Sequence, residues 1–301
     1  RSLFAESIIL SLESSLFYFR FGLFAVCVWY LIDNNEKIIK HFSIFLLATF
    51  IFALVDGYYQ YFNDIGIFGF SWPDARLSLP LNNKAILGGY LARLFPLLLA
   101  VLIYSFDLKK FYILLILFIL ILTDVLIFIS GERTALALLF LATLFIIVFL
   151  SKYKKIRFFT FLISVFLMIF ISNSNPIIKE RVIDRTFNQV TGDGSGDIKL
   201  FSNQHQIWIL ESWKMFKANP VFGQGPKMFR TLCDDKRFIV TNNDNNNVCS
   251  THPHNNYAQL MAETGIIGLT IILIFYFKII KLIFEHMTLF ISKRKYLLSD
   301  F

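Results

Sequence analysis

Long apolar runs separated by short polar stretches set the pattern of this chain. Seven of them, at roughly 15–32, 41–60, 85–104, 111–129, 134–150, 158–172 and 256–277, approach or exceed the length of about 20 helical residues needed to cross a hydrocarbon core. Each is predicted to be a transmembrane helix. The first fourteen residues, with Glu6 and Glu13 among apolar neighbours, read as the end of an earlier span or as an interfacial helix. The pattern lapses over 173–255, and a connection of about 80 residues is far longer than two helices need, so a functional or disordered role is expected. Within it Glu180, Arg181, Asp184 and Arg185 form a charged helical turn, and 191–197 is glycine-rich and reads as a flexible linker. From Gln204 to Lys217 the placing of Trp208, Leu210, Trp213 and Phe216 suits an amphipathic helix on the membrane surface. Asn219-Pro220 ends that helix, Gly223-Gln224-Gly225-Pro226 makes a tight turn, and the asparagine-rich run 242–247 reads as an exposed loop. The chain thus divides into membrane helices with short loops (1–172), an external loop (173–255), and a last span with a basic tail (256–301).

Composition agrees with this division. Hydrophobic residues make up 56% of 301 positions, 36 of them Phe, against 17% charged, and mean hydropathy is +0.62. A soluble domain cannot hide that much apolar surface, so the chain is an all-α integral membrane protein. The net charge of +8 resolves into a topology signal once located. Lys37, Lys40, Lys109, Lys110, Lys152, Lys154, Lys155 and Arg157, and Lys278, Lys281, Lys293, Arg294 and Lys295 in the tail, fall on one side, whereas the opposite short loops hold Arg76, Lys84 and Arg133. Positive-inside bias puts the first group in the cytoplasm and segment 173–255 outside, in a periplasm or beyond the cell. Basic residues spread over loops in this way are no nucleic-acid footprint. No signal peptide is legible, and the opening on Arg1 leads us to expect a longer precursor.

Candidate chemistry concentrates between Cys249 and Gly268. Pro253 suits the first turn of a helix, where its missing N–H costs nothing, leaving His252 and His254 at the outer mouth of the last span. Asn255, Gln259 and Glu263, spaced by four, share a face, and a polar face on an apolar helix implies a wet cavity or a protein interior. An ionisable group such as Glu263 near membrane depth marks a functional site by default. With an unperturbed pKa near neutrality, His254 can act as a general base on a hydroxyl. His252 and His254 could instead hold a metal, but no H-E-x-x-H pattern and no cysteine pair of zinc spacing completes such a site. Arg20 and Arg93 lie inside apolar runs, and Arg133 sits in Ser130-Gly131-Glu132-Arg133-Thr134 between two spans. A charge there should face a cavity and find an anion, and a guanidinium suits a diphosphate; Arg181, Arg185, Arg230 and Arg237 are further anion contacts by the same logic. Cys233 and Cys249, on the oxidising side, are a plausible disulfide that would close a short loop and contribute about 3 kcal/mol. Cys27, within a span, is expected to be a small buried hydrophobe.

His254-Asn255, nine residues, Gly265, two residues and Gly268 reproduce a His-Asn-x9-Gly-x-x-Gly signature. With Ser-Gly-x-Arg-Thr at 130–134 and the stretch ending in Asn219-Pro220-Val221-Phe222-Gly223-Gln224-Gly225-Pro226, this resembles the O-antigen ligase and polymerase superfamily over about residues 125–280. The resemblance implies a GT-C-like membrane glycosyltransferase in a bacterial inner membrane, with its site facing the periplasm. The expected partners are an undecaprenyl diphosphate-linked glycan donor and a lipid A–core or lipid-linked glycan acceptor. It also implies inversion, no metal and no other cofactor. His254 becomes the candidate base and Arg133 the diphosphate ligand, both catalytic, while His252, Asn255, Gln259, Glu263, His205, Arg181 and Arg185 line the substrate. Relatives carry an arginine just before the Trp208 position, where this chain has Gln204-His205-Gln206, so His205 takes its place. The competing class is a transporter or flippase of lipid-linked sugars, and ligase and polymerase share the signature.

Overall fold

The computed structural model describes residues 1–35, 37–69, 76–80, 84–106, 110–149, 153–191, 203–240 and 249–299. Both the glycine-rich stretch at 192–197 and the asparagine-rich run at 242–247 lie outside them. Among the described residues the regular elements are helices: α1 (Ile8–Asn34), α2 (Lys37–Asn63), α3 (Leu87–Ser105), α4 (Lys110–Ile129), α5 (Arg133–Phe149), α6 (Lys154–Ser174), α7 (Pro176–Lys179), α8 (Arg185–Thr191), α9 (Asn203–Ala218), α10 (Phe229–Leu232) and α11 (Asn256–Ser299). A five-residue turn of π geometry, Glu180–Asp184, joins α7 to α8.

Among the described residues five helices are long and apolar enough to cross a membrane: α1, α2, α3, α6 and α11 over Asn256–Glu285. The chain is therefore a multi-pass membrane protein, with two of the seven expected spans in shorter apolar helices, Leu114–Ile129 and Arg133–Phe149. They are separated by the turn at Ser130-Gly131-Glu132, where Gly131 adopts φ +72° after the end of α4. The amino-terminal polar residues form no separate interfacial helix. After a single turn at Ser2–Phe4 and a bend containing Glu6, α1 runs unbroken from Ile8 and includes Glu13.

The chain separates into two compact units, one made of Arg1–Val28 with Lys199–Phe301 and the other of Trp29–Ile198. In the second unit α2 to α6 pack around Phe50, Leu87, Leu91, Phe95, Leu126, Ile127 and Leu139. Inside this apolar core lies a charge pair that the sequence pattern hid. Arg157, expected as a cytoplasmic loop cation, belongs to α6 and is 1% exposed. Its guanidinium grips Asp124 of α4 with two bonds of 2.8 and 2.9 Å. Thr143 of α5 accepts from Nε at 3.2 Å, Ser164 donates to the carboxylate at 2.9 Å, and the Phe95 and Phe161 rings flank the cation. Two ions can stay buried only when paired and fully hydrogen-bonded, and the six side chains gathered here come from four helices. Arg157 is therefore no loop cation and drops out of the charges on which the expected orientation was based.

In the first unit, Ile207, Trp208, Glu211, Ser212 and Met215 form the buried face of α9, a spacing that follows one helical stripe. They meet Met228, Phe229, Leu232, Phe238 and Ala262. Leu210 and Trp213 are exposed on the other side of the helix. Cys27 is exposed rather than buried, because the carboxyl-side half of α1 presents apolar side chains outward all round, as a lipid-facing helix does.

Helix α11 is two helices. At Gly265 the backbone turns to φ +65°, ψ −163°, a region essentially reserved for glycine. The break exposes carbonyls on one side and N–H groups on the other, and segment 219–225 satisfies both. Gln224 and Gly225 donate to the carbonyls of Ala262 and Glu263 at 2.8 and 2.9 Å, and Ile266 donates to the carbonyl of Pro220 at 2.8 Å. The strands approach so closely that a Cβ on Gly265 would collide with the Val221 backbone, and one on Gly223 with the Glu263 backbone.

Candidate functional site

The His252–His254 turn stands on this broken helix. Pro253 precedes the helix instead of opening it: α11 begins at Asn256, and Asn255 is its cap, its side-chain oxygen accepting from the N–H groups of Tyr257 and Ala258, both at 3.0 Å. An amide oxygen satisfies helix-start donors better than a proline can, so Asn255 won the position. The cost is carried next door, where His254 is held at φ +52°. A side chain in that conformation is strained by about 1–3 kcal/mol and persists only where its surroundings hold it.

Three imidazoles and an indole meet there. The His254 ring stacks on Trp208 with centroids 4.7 Å apart, His252 lies 4.1 Å from His254, and His205 sits 5.6 Å from His254 and 5.2 Å from Trp208. His252 Nδ1 is 3.0 Å from the Thr251 hydroxyl. Trp208 is 7% exposed, whereas His254 is exposed and presents an open edge. Partial desolvation, and then the neighbouring His252 and His205, hold the His254 imidazole below the usual histidine range. The group is thereby kept neutral near pH 7, the form that accepts a proton.

Gln259 and Glu263 do share the face anticipated for them. Gln259 Nε2 donates to Glu263 Oε2 at 3.3 Å, and Oε1 receives the N–H of Phe229 at 3.3 Å. The face looks into protein, with Glu263 only 7% exposed. Cys233 and Cys249 are disulfide-bonded, Cα atoms 5.3 Å apart. Cys233, Asp234 and Cys249 form the metal-competent grouping found among the described residues, but with both sulfurs in the disulfide only the Asp234 carboxylate has a ligand's electron pairs to offer.

Arg93, Arg133, Arg181 and Arg185 belong to the other unit, whereas Arg20, Arg230 and Arg237 belong to this one. Arg133, at the start of α5, is exposed and donates from Nη1 to the Arg185 carbonyl at 3.2 Å. Arg181 Nε donates to the Gly131 carbonyl at 3.2 Å, and Arg185 pairs with Glu180 at 2.9 Å. The turn bearing Arg133 is fixed from beneath. Glu132 Oε2 accepts from Gly89 N at 3.1 Å at the start of α3, and Ser130 accepts from Leu77 N at 3.3 Å. Burial pushes the Glu132 carboxyl up, against the pull of the Gly89 and Gly88 N–H groups, Arg76 and Arg93. Glu132 is a residue the sequence reading passed over; the signal was the pair Gly88-Gly89, whose absent side chains admit the carboxylate. Glu211 was missed as well. It is buried on α9, accepts the Val240 N–H at 3.3 Å, and its carboxyl is pushed up to about 7 by burial.

The family model described as O-antigen ligase matches residues 115–273, and the chain belongs to that family. No curated protein and no solved structure matches it.

Proposed function

We propose that this protein transfers a glycan from an undecaprenyl diphosphate carrier to a hydroxyl of a sugar acceptor, at the periplasmic face of a bacterial inner membrane. The observation that carries the reading is His254, exposed at one edge, stacked on Trp208 and held neutral; family membership supports the reaction class. The acceptor oxygen attacks the anomeric carbon while the bond from that carbon to the diphosphate oxygen breaks. The hydroxyl proton passes to the His254 imidazole, and the carrier diphosphate leaves with the bonding electrons. Arg133 stabilises the charge that develops on it, a role that suits the paired donors of a guanidinium. Arg181 and Arg185 hold the Arg133 turn, and His252, Asn255, Gln259 and His205 shape the acceptor side. Backside attack inverts the anomeric configuration, and no step calls for a metal or other cofactor.

The test is reconstitution of the purified protein with an undecaprenyl diphosphate-linked glycan. One arm contains lipid A–core, the other only more lipid-linked glycan; product in the first arm identifies a ligase, and product in the second a polymerase. His254→Ala should abolish product in either arm while the protein remains folded and inserted. Wild-type product from that variant removes His254 from the chemistry. Translocation of glycan with no new glycosidic bond would establish a transporter or flippase instead.

A further inference from the structure

Glu263 emerges from the sequence as a residue lining a substrate cavity, yet its surroundings are protein backbone. Oε1 accepts from Phe229 N and Oε2 from Gln259 Nε2, both at 3.3 Å, and the Lys227 N–H also points at the carboxylate. From Phe229 the chain passes through the single turn of α10 to Cys233, crosses the disulfide to Cys249, and returns through the histidine turn and the Asn255 cap to α11 and Glu263. The path is a closed ring. Its ties are one carboxylate and one disulfide. His254, at φ +52°, sits on the arc between them.

We propose that Glu263 is a positioning residue: with the Cys233–Cys249 disulfide it closes the ring that holds the His252–His254 turn against Trp208, and it makes no contact with substrate. The physical reason is the strain at His254. A histidine released from such a ring relaxes to an ordinary backbone conformation, and its ring leaves the indole face. The groups bearing on His254 are then no longer His252, His205 and Trp208 but water. The carboxylate is the tie best suited to the task, because one acceptor with two oxygens can gather the Lys227 and Phe229 N–H groups and the Gln259 amide at once.

Only the activity arm of the test rests on the proposed glycosyl transfer; a second arm reads His254 directly. In a Trp29→Phe, Trp72→Phe, Trp213→Phe background Trp208 is the sole indole, and its emission falls when the stacked His254 gains a proton. The background protein should titrate below the ordinary histidine range. Glu263→Ala should raise that midpoint toward the ordinary value, shrink the quench, and lower turnover by about 10²-fold, the scale of a misplacement near 1 Å, while KM for the lipid-linked donor stays unchanged. Glu263→Gln keeps an oxygen for Phe229 N but turns a donor toward Gln259, and should fall between the parent and Glu263→Ala in both readouts. Cys233→Ser/Cys249→Ser cuts the ring at its other tie and should reproduce the titration shift of Glu263→Ala. A raised KM with an unmoved titration would make Glu263 a substrate contact and overturn the proposal. An unmoved titration in both Glu263→Ala and the cysteine variant would overturn it too, and if Glu263→Ala fails to fold the cysteine variant decides alone. A parent protein that transfers nothing, yet shows these shifts, counts against the proposed reaction and for the ring.

Discussion

At the scale of single residues, the proposed chemistry rests on the state of His254. Its protonated form is disfavoured by desolvation and by two neighbouring imidazoles. A lowered pKa means that the neutral base predominates near pH 7, and that it is lost only as pH falls through the lowered value. The expected profile of transfer rate is therefore flat around neutrality, with an acid limb whose midpoint lies below about 6.5, the unperturbed histidine value. Initial rates measured from pH 5 to 8 check this, and a limb centred at or above the unperturbed value would mean that His254 is not the titrating base. The neighbouring residues divide into those the sequence made legible and those it could not. His254 and Arg133 stood out because a polar residue beside an apolar run is conspicuous. Trp208 did not stand out as a stacking partner, since nothing in its spacing from position 254 says that the two rings meet.

At the scale of elements, the break in α11 explains the glycines of the signature. The break is held open by hydrogen bonds from segment 219–225, so the Asn-Pro-Val-Phe-Gly-Gln-Gly stretch and the glycine at 265 are two halves of one feature. Gly268 is the next requirement, since a Cβ there would strike the Thr264 side chain one turn back. Gly265→Ala places a side chain at positive φ and against the Val221 backbone, and should cost at least about 1–3 kcal/mol. Thermal unfolding in detergent should show a clear loss of stability for this variant, and an unchanged melting temperature would mean that the break is not as rigid as its bonding implies. The tight turn at 223–226 was readable from its glycines. Its insertion into a helix some 40 residues later was not, because backbone-to-backbone bonding leaves no trace in side-chain identity.

At the scale of the whole molecule, the unit formed by Trp29–Ile198 is organised around the Asp124–Arg157 pair, to which α3, α4, α5 and α6 all contribute. Asp124→Ala strands a guanidinium in an apolar core, which typically costs about 3–5 kcal/mol. The double variant Asp124→Leu/Arg157→Leu removes both ions and should recover much of that loss. Comparing the melting temperatures of the two proteins and the parent measures the difference; a double variant as unstable as the single one would mean that the ions do more than cancel each other. The bias of basic residues toward one side of the membrane does not depend on this pair.

The order of apolar runs, the basic loops between them and the His-Asn and glycine positions are written in the residues themselves, because burial in lipid and backbone freedom are properties of local composition. From these alone follow a helical membrane protein, its candidate base and its candidate diphosphate ligand. Only the tertiary structure decided that Arg157 is a core ion and not a loop cation, that Asn255 and not Pro253 opens the last helix, that Glu263 meets backbone N–H groups, and that His254 lies on Trp208. All but the Asn255 cap, whose donors are Tyr257 and Ala258, depend on partners tens of residues away in the chain, and which of several compatible partners a polar group finds is settled by packing, where every buried donor and acceptor has to be matched at once.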